Sequence, residues 1–172
     1  NSERMAGVSN PYAADKLIAQ ARQLAAEHRR TMGKPLPGIS NEIAEHDAIR
    51  LLDLEPEPGN DVSWDATDPE TGWRMQIKSR TIFDESKSGQ RIGQLKMNQE
   101  WDAVVLVLMD EDYEPYEIYQ ALREDLAESV DASSSSRAKR GAMSVARFKI
   151  IGELVWDRVS GRQPGVWDNQ AG

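Results

Sequence analysis

Cysteine is absent from the 172-residue chain, which excludes a disulfide framework and any thiolate zinc site, and fits a reducing compartment. Histidine is nearly absent too: His28 and His46 are too few for a histidine-rich metal centre. No apolar run approaches the roughly 20 residues needed to span a bilayer, and the opening NSERMAGVSN lacks the basic-then-apolar order of a secretory signal. The expectation is a soluble, cytoplasmic protein with no membrane partner. A basic excess is also missing: 29 acidic against 21 basic side chains give a formal charge of −8, where phosphate-binding proteins usually carry positive charge.

What is present is unevenly distributed. Acids concentrate at 53–70 and 110–128, and bases gather in KSRTIFDESKSGQRIGQLK and SSSSRAKRGAMSVARFK. The net charge weakens a nucleic-acid reading without excluding it. The length suits one domain able to bury a core unaided by metal or disulfide.

Asn10 and Pro11 form an N-cap and N1 pair, and Leu17, Ile18, Ala21, Leu24 and Ala25 recur at helical spacing, predicting a helix over 11–31. The segment TMGKPLPG breaks it. Ser40 is expected to cap a second helix with Ile43, Ala44, Ala48, Leu51 and Leu52 on one side, and Glu42, His46, Arg50 and Asp53 on the other.

Beyond EPEPGN the periodicity becomes two. DVSW and WRMQIKSRTI read as strands of an antiparallel hairpin joined by DATDPETG. WDAVVLVLMD reads as a central strand buried on both faces, YEIYQA as its partner and LREDLAESV as a helix. The serines at 133–136 mark a loop before a short helix at SVARFKII, a last strand at GELVWD and a polar tail from Ser160. The predicted order is α-α-β-β-β-β-α-α-β, an α+β (mixed α/β) domain. Residues 1–39 form an N-terminal helix and Pro/Gly linker, 40–159 the core, and 160–172 the tail.

Alternation along the second strand puts Met75, Ile77 and Ser79 on one face and Arg74, Gln76, Lys78 and Arg80 on the other. A half-buried strand with a solvated face would read the same way. Two further acids argue for chemistry. Asp61, after a Pro-Gly-Asn turn, can meet Gln76 or Lys78 across the hairpin. On a helical wheel Glu45 falls between Leu52 and Ile49, at the margin of the buried stripe. A carboxylate there is either partnered or functional. Asp47 touches the opposite margin, so position alone does not single out Glu45, and Glu42 is explained by the helix dipole. Trp64, Trp73, Trp101 and Trp156 are expected at strands or strand ends as core residues, and both histidines on polar helix sides.

Taken together, NEIAEHDAIRLLDL, GND and QIKSR resemble the motif pieces of the PD-(D/E)xK, or restriction-endonuclease-like, nucleases over roughly 40–156. The family core is a helix, a three-strand meander, a helix and a further strand. The resemblance implies that Asp61 stands at the motif aspartate, Gln76 at the (D/E) position, Lys78 at the motif lysine and Glu45 at the helix acid. Gln76 departs from the usual acid, although glutamine variants occur in the superfamily.

The implied activity is hydrolysis of phosphodiesters, DNA being the expected substrate and partner, in a bacterial or phage restriction, repair or mobile-element setting. The implied cofactor is Mg²⁺ or Mn²⁺, held by Asp61, Glu45, Gln76 and the Ile77 carbonyl. Arg80, Lys87, Arg91, Lys96, Arg137, Lys139 and Arg140 are expected to contact the nucleic-acid backbone, with Arg147 and Lys149 beside them. A homodimer is compatible with this reading. Two rivals stay open: a catalytically inactive domain of the same fold that binds nucleic acid or a protein, and an unrelated α+β protein with a polar strand face.

Overall fold

The computed structural model of the chain describes residues 11–59, 61–84, 86, 89–132 and 143–163. Helix α1 spans Pro11–Met32 and α2 spans Ile39–Leu51. Strands follow at β1 (Glu55–Pro56), β2 (Ala66–Thr67), β3 (Arg74–Thr81), β4 (Ala103–Met109) and β5 (Pro115–Leu122). Helices α3 (Arg123–Ala132) and α4 (Val145–Ile151) precede β6 (Glu153–Asp157) and β7 (Gly161–Arg162). The seven strands make one mixed sheet in chain order, in which only β3 and β4 run parallel. This is an α+β protein. Among the described residues no helix is long and apolar enough to cross a membrane.

The valine-rich run explains the layering. All seven residues of β4 are buried, and because side chains alternate across a strand they feed two cores. Ala103, Val105, Val107 and Met109 pack with Ala25 and Ala26 of α1 and Ile43, Ala44 and Ala48 of α2. Val104, Leu106 and Leu108 pack with Leu126 and Val130 of α3 and Val145 and Phe148 of α4. Helices therefore cover both faces of the sheet.

Several local expectations change. Ser40 lies inside α2; the N-cap is Gly38, at φ 83°, without a side-chain cap bond. That left-handed conformation suits glycine, so the Pro/Gly linker itself turns the chain into the helix. Residues 61–64 are not a strand. The ladder pairs Ala66 with Met75 and Thr67 with Arg74, and the turn is the shorter TDPETG. Asp68 N–H bonds the Trp73 carbonyl at 2.9 Å, Gly72 N–H bonds the Asp68 carbonyl at 2.8 Å, and Asp68 Oδ1 accepts from Glu70 N–H. Trp64 is accordingly off the strand.

Two edge strands were not foreseen. Pro56 sits in β1, on the sheet edge where its missing N–H costs no ladder bond. The expected polar tail begins instead with β7, paired to β6. The serine run at 133–136 lies outside the described residues.

Candidate functional site

Strand β2 is only two residues long, so the C-terminal half of β3 has no ladder partner on that side. An open cleft of about 840 Å³ occupies the edge, walled by α2, the 61–65 segment, β3 and the turn at 96–100. Glu45, Asp61, Gln76, Ile77 and Lys78 all line it. The structure thus brings together the four predicted motif side chains and the Ile77 backbone.

The carboxylate locked against β3 is Asp65, which the sequence reading passed over. The ladder ends with Ala66 opposite Met75, and Asp65 is the next residue upstream. Asp65 N–H donates to the Met75 carbonyl at 2.8 Å, and Asp65 Oδ2 accepts from Ile77 N–H at 2.8 Å. Within a strand the N–H and C=O of one residue point the same way, so the Ile77 carbonyl faces this edge as well. Asp61, four residues upstream and exposed, lines the cleft without a hydrogen bond to any described residue. The signal for Asp65 was DPETG: a turn that starts at Asp68 leaves 65–67, not 61–64, to pair with β3.

Gln76 is 6% exposed and its two amide ends differ. Nε2 donates to the Ser63 carbonyl at 2.8 Å, holding the 61–64 segment, while Oε1 is buried with no partner. Such an orphaned acceptor is costly unless something fills it.

Glu45 makes no hydrogen bond or ion pair with a described residue. Burial first, then the charges of Asp65 and Glu42, push its carboxyl above the usual glutamate range. Burial likewise pulls the Lys78 ammonium down. Asp65 opposes that shift, and Lys96 and Arg80 add to it. Asp47, at the other margin of the α2 stripe, is fully buried and paired bidentately with Arg22 at 2.8 Å for both oxygens. The two marginal carboxylates therefore separate: Asp47 is structural, and Glu45 stands unpaired in the cleft.

Among the described residues no three His, Cys, Asp or Glu side chains are grouped to hold a metal. A cation here must draw on neutral oxygens too. Glu45, Asp65, the orphaned Gln76 Oε1 and the Ile77 carbonyl are the cleft oxygens that could be drawn on, hard donors of the kind Mg²⁺ or Mn²⁺ accepts.

The predicted phosphate contacts divide. Lys96 is exposed and lines the cleft. Arg80 is half-buried, its guanidinium bonded to the Arg91 and Ser79 carbonyls, so it braces the chain. Arg91 belongs to a backbone bridge with Ser144. Arg147 bonds Ser129 and Lys149 pairs with Glu117. Lys87, Arg137, Lys139 and Arg140 lie outside the described residues. His46 meets Asp15 at 2.9 Å and His28 meets the Lys34 carbonyl at 3.1 Å; neither lines the cleft. No protein-family model matches the chain, and no curated protein matches it in sequence.

Proposed function

We propose that the cleft is a divalent-cation-dependent phosphodiesterase site of the restriction-endonuclease-like kind, acting on DNA. The observation that carries the reading is the buried, unpartnered Gln76 Oε1 in a cleft that Glu45 and Asp65 also line. The β1–β2–β3 meander preceded by α2, with β4 parallel to β3, agrees with that core. The connection at 82–102 departs from it, having no helix among its described residues.

Glu45, Asp65, Gln76 Oε1 and the Ile77 carbonyl would hold the cation. Asp65 is preferred to Asp61 as the cation's aspartate, because two bonds to the β3 backbone fix its position. When bound, a Mg²⁺ ion polarises a phosphate and lowers the pKa of a coordinated water. Lys78, half-buried and in the field of Asp65, would orient an attacking water and steady negative charge developing on the phosphate. Burial strengthens its field relative to an exposed lysine.

A second reading keeps the fold and the ligand but not the chemistry. The lack of a three-acid cluster among the described residues favours it. The deciding experiment combines calorimetric Mn²⁺ binding with cleavage of plasmid and linear duplex by the parent, Asp65→Ala, Asp61→Ala and Lys78→Ala. Catalysis predicts Mn²⁺ binding lost in Asp65→Ala, largely kept in Asp61→Ala, and kept in Lys78→Ala with cleavage reduced roughly 10²–10³-fold. A parent that binds no Mn²⁺ and cuts nothing would leave the non-catalytic reading.

A further inference from the structure

The turn at 96–100 is held from behind by an arrangement that neither core packing nor the phosphodiesterase chemistry requires. Arg123, the first residue of α3, donates Nη1 to the Gln99 carbonyl at 2.5 Å and to the Trp101 carbonyl at 3.3 Å, and Nη2 to the Met97 carbonyl. Its guanidinium lies 4.6 Å from the Trp101 ring centre, and Trp101 Nε1 donates to the Lys96 carbonyl at 2.9 Å. Four carbonyls of one short segment are thus turned inward onto two side chains. The turn also closes on itself, Gln99 N–H bonding the Lys96 carbonyl at 3.0 Å.

The outward side is the opposite case. Lys96, Asn98 and Gln99 line the cleft, and their side chains make no hydrogen bond or ion pair with any described residue. Satisfying buried carbonyls would explain Arg123 alone. It would not place one ammonium and two carboxamides, none with a partner among the described residues, along one wall of a polar cleft. A locked backbone carrying free donors is what a preorganised recognition surface requires.

We propose that the 96–99 turn is the substrate-recognition wall of the cleft, Lys96 contacting a DNA phosphate and the Asn98 and Gln99 carboxamides contacting base edges, with Arg123 as the positioning residue behind it. This rests on the DNA reading above and adds which residues hold the strand. An ammonium contributes a sequence-independent, salt-sensitive contact. A carboxamide, donor and acceptor together, matches the edge of a base and discriminates among bases.

The test is fluorescence anisotropy of a fluorescein-labelled duplex and its separated strands, in Ca²⁺ and over a range of salt, with Mn²⁺ calorimetry on the same proteins. Lys96→Ala should weaken binding several-fold for every sequence and reduce the salt slope by about one. Asn98→Ala combined with Gln99→Ala should leave the slope alone and narrow the spread of affinities across oligonucleotides of different base composition. Arg123→Met should weaken binding at temperatures well below its own melting point, and Arg123→Lys should recover part of the loss. A purely structural Arg123 would lower the melting temperature and leave affinity unchanged.

Parent-like affinity and slope in Lys96→Ala, a surface change that does not threaten folding, would overturn the wall. So would parent-like affinity in Arg123→Met. Mn²⁺ binding by the parent with no response of DNA binding to these variants removes the wall and leaves the catalytic reading. DNA binding through Lys96 by a parent that holds no Mn²⁺ and cuts nothing removes the catalytic reading and leaves the wall.

Discussion

Asp47→Ala tests the division of labour on α2. Asp47 is fully buried, and the Arg22 side chain that grips both its oxygens is 12% exposed. Arg22 also donates to the Tyr113 carbonyl at 2.6 Å, so this one guanidinium ties α1, α2 and the β4–β5 turn together. Removing one partner of a buried pair costs about 3–5 kcal/mol. The lower end applies here, because Arg22 reaches the rim and keeps Glu114 at 3.4 Å. For a chain of this size each kcal/mol moves the melting temperature about 2–4 °C, so Asp47→Ala should melt about 6–12 °C lower.

Calorimetry and urea titration on Asp47→Ala, Arg22→Met and the double variant give the coupling directly. The double variant should be less destabilised than the sum of the singles. Glu45→Gln, two residues away on the opposite margin of the stripe, should show the opposite sign: it removes a charge that burial, Asp65 and Glu42 all disfavour, so stability stays level or rises while Mn²⁺ binding falls. A fall of less than about 2 °C in Asp47→Ala, or additive singles, would refute the assignment of Asp47 as a structural clamp.

Three further outcomes are expected. Mn²⁺ affinity should rise with pH through and above the ordinary glutamate range, because a proton on Glu45 competes with the ion and that carboxyl titrates high; calorimetry in buffers of different ionisation enthalpy reads the proton release. Without the ion the sign reverses. The folded-state pKa of Glu45 exceeds the unfolded one, so its contribution to stability is full below the unfolded value and lost as pH rises through the folded one, which a pH series of melts measures. Gly152→Ala should destabilise by about 1–3 kcal/mol in urea titration, since at the α4–β6 junction its Cβ would meet the Gln120 carbonyl of β5 at 2.7 Å and the Phe148 carbonyl of α4 at 3.1 Å, both backbone atoms.

The parts of the fold legible in the sequence are those where one period dominates. β4 announced itself by an unbroken apolar run, and α1 by its spacing and its Pro11 start. Two-residue strands have no period to read, so β1 and β7 were invisible, and the first carries a proline besides. The α2 start was misread because a serine is the usual cap, whereas here Gly38 makes the turn through its backbone. Arg123 could not have been found in advance. Its role lies in carbonyls at 97, 99 and 101, which carry no sequence signature.

The site shows how one register decides an assignment. The ladder ends where Ala66 pairs Met75; just upstream, Asp65 N–H bonds the Met75 carbonyl and its carboxylate accepts from Ile77 N–H, so Asp65 and not Asp61 is fixed on the β3 backbone. A strand at 61–64 would set Asp61 against β3; with the ladder at 66–67, Asp61 lines the cleft and Asp65 meets the β3 backbone. Gln76 explains why the neighbouring segment stays put. Its Nε2 holds the Ser63 carbonyl, a bond that a carboxylate at this position would turn into repulsion between two oxygens. Gln76→Glu should therefore melt lower than the parent without metal and gain more from added Mn²⁺, the ion relieving the charge that the Ser63 carbonyl opposes. A Glu variant as stable as the parent without metal would mean that the Ser63 bond contributes nothing, and glutamine would then lose its structural reason for standing at this position.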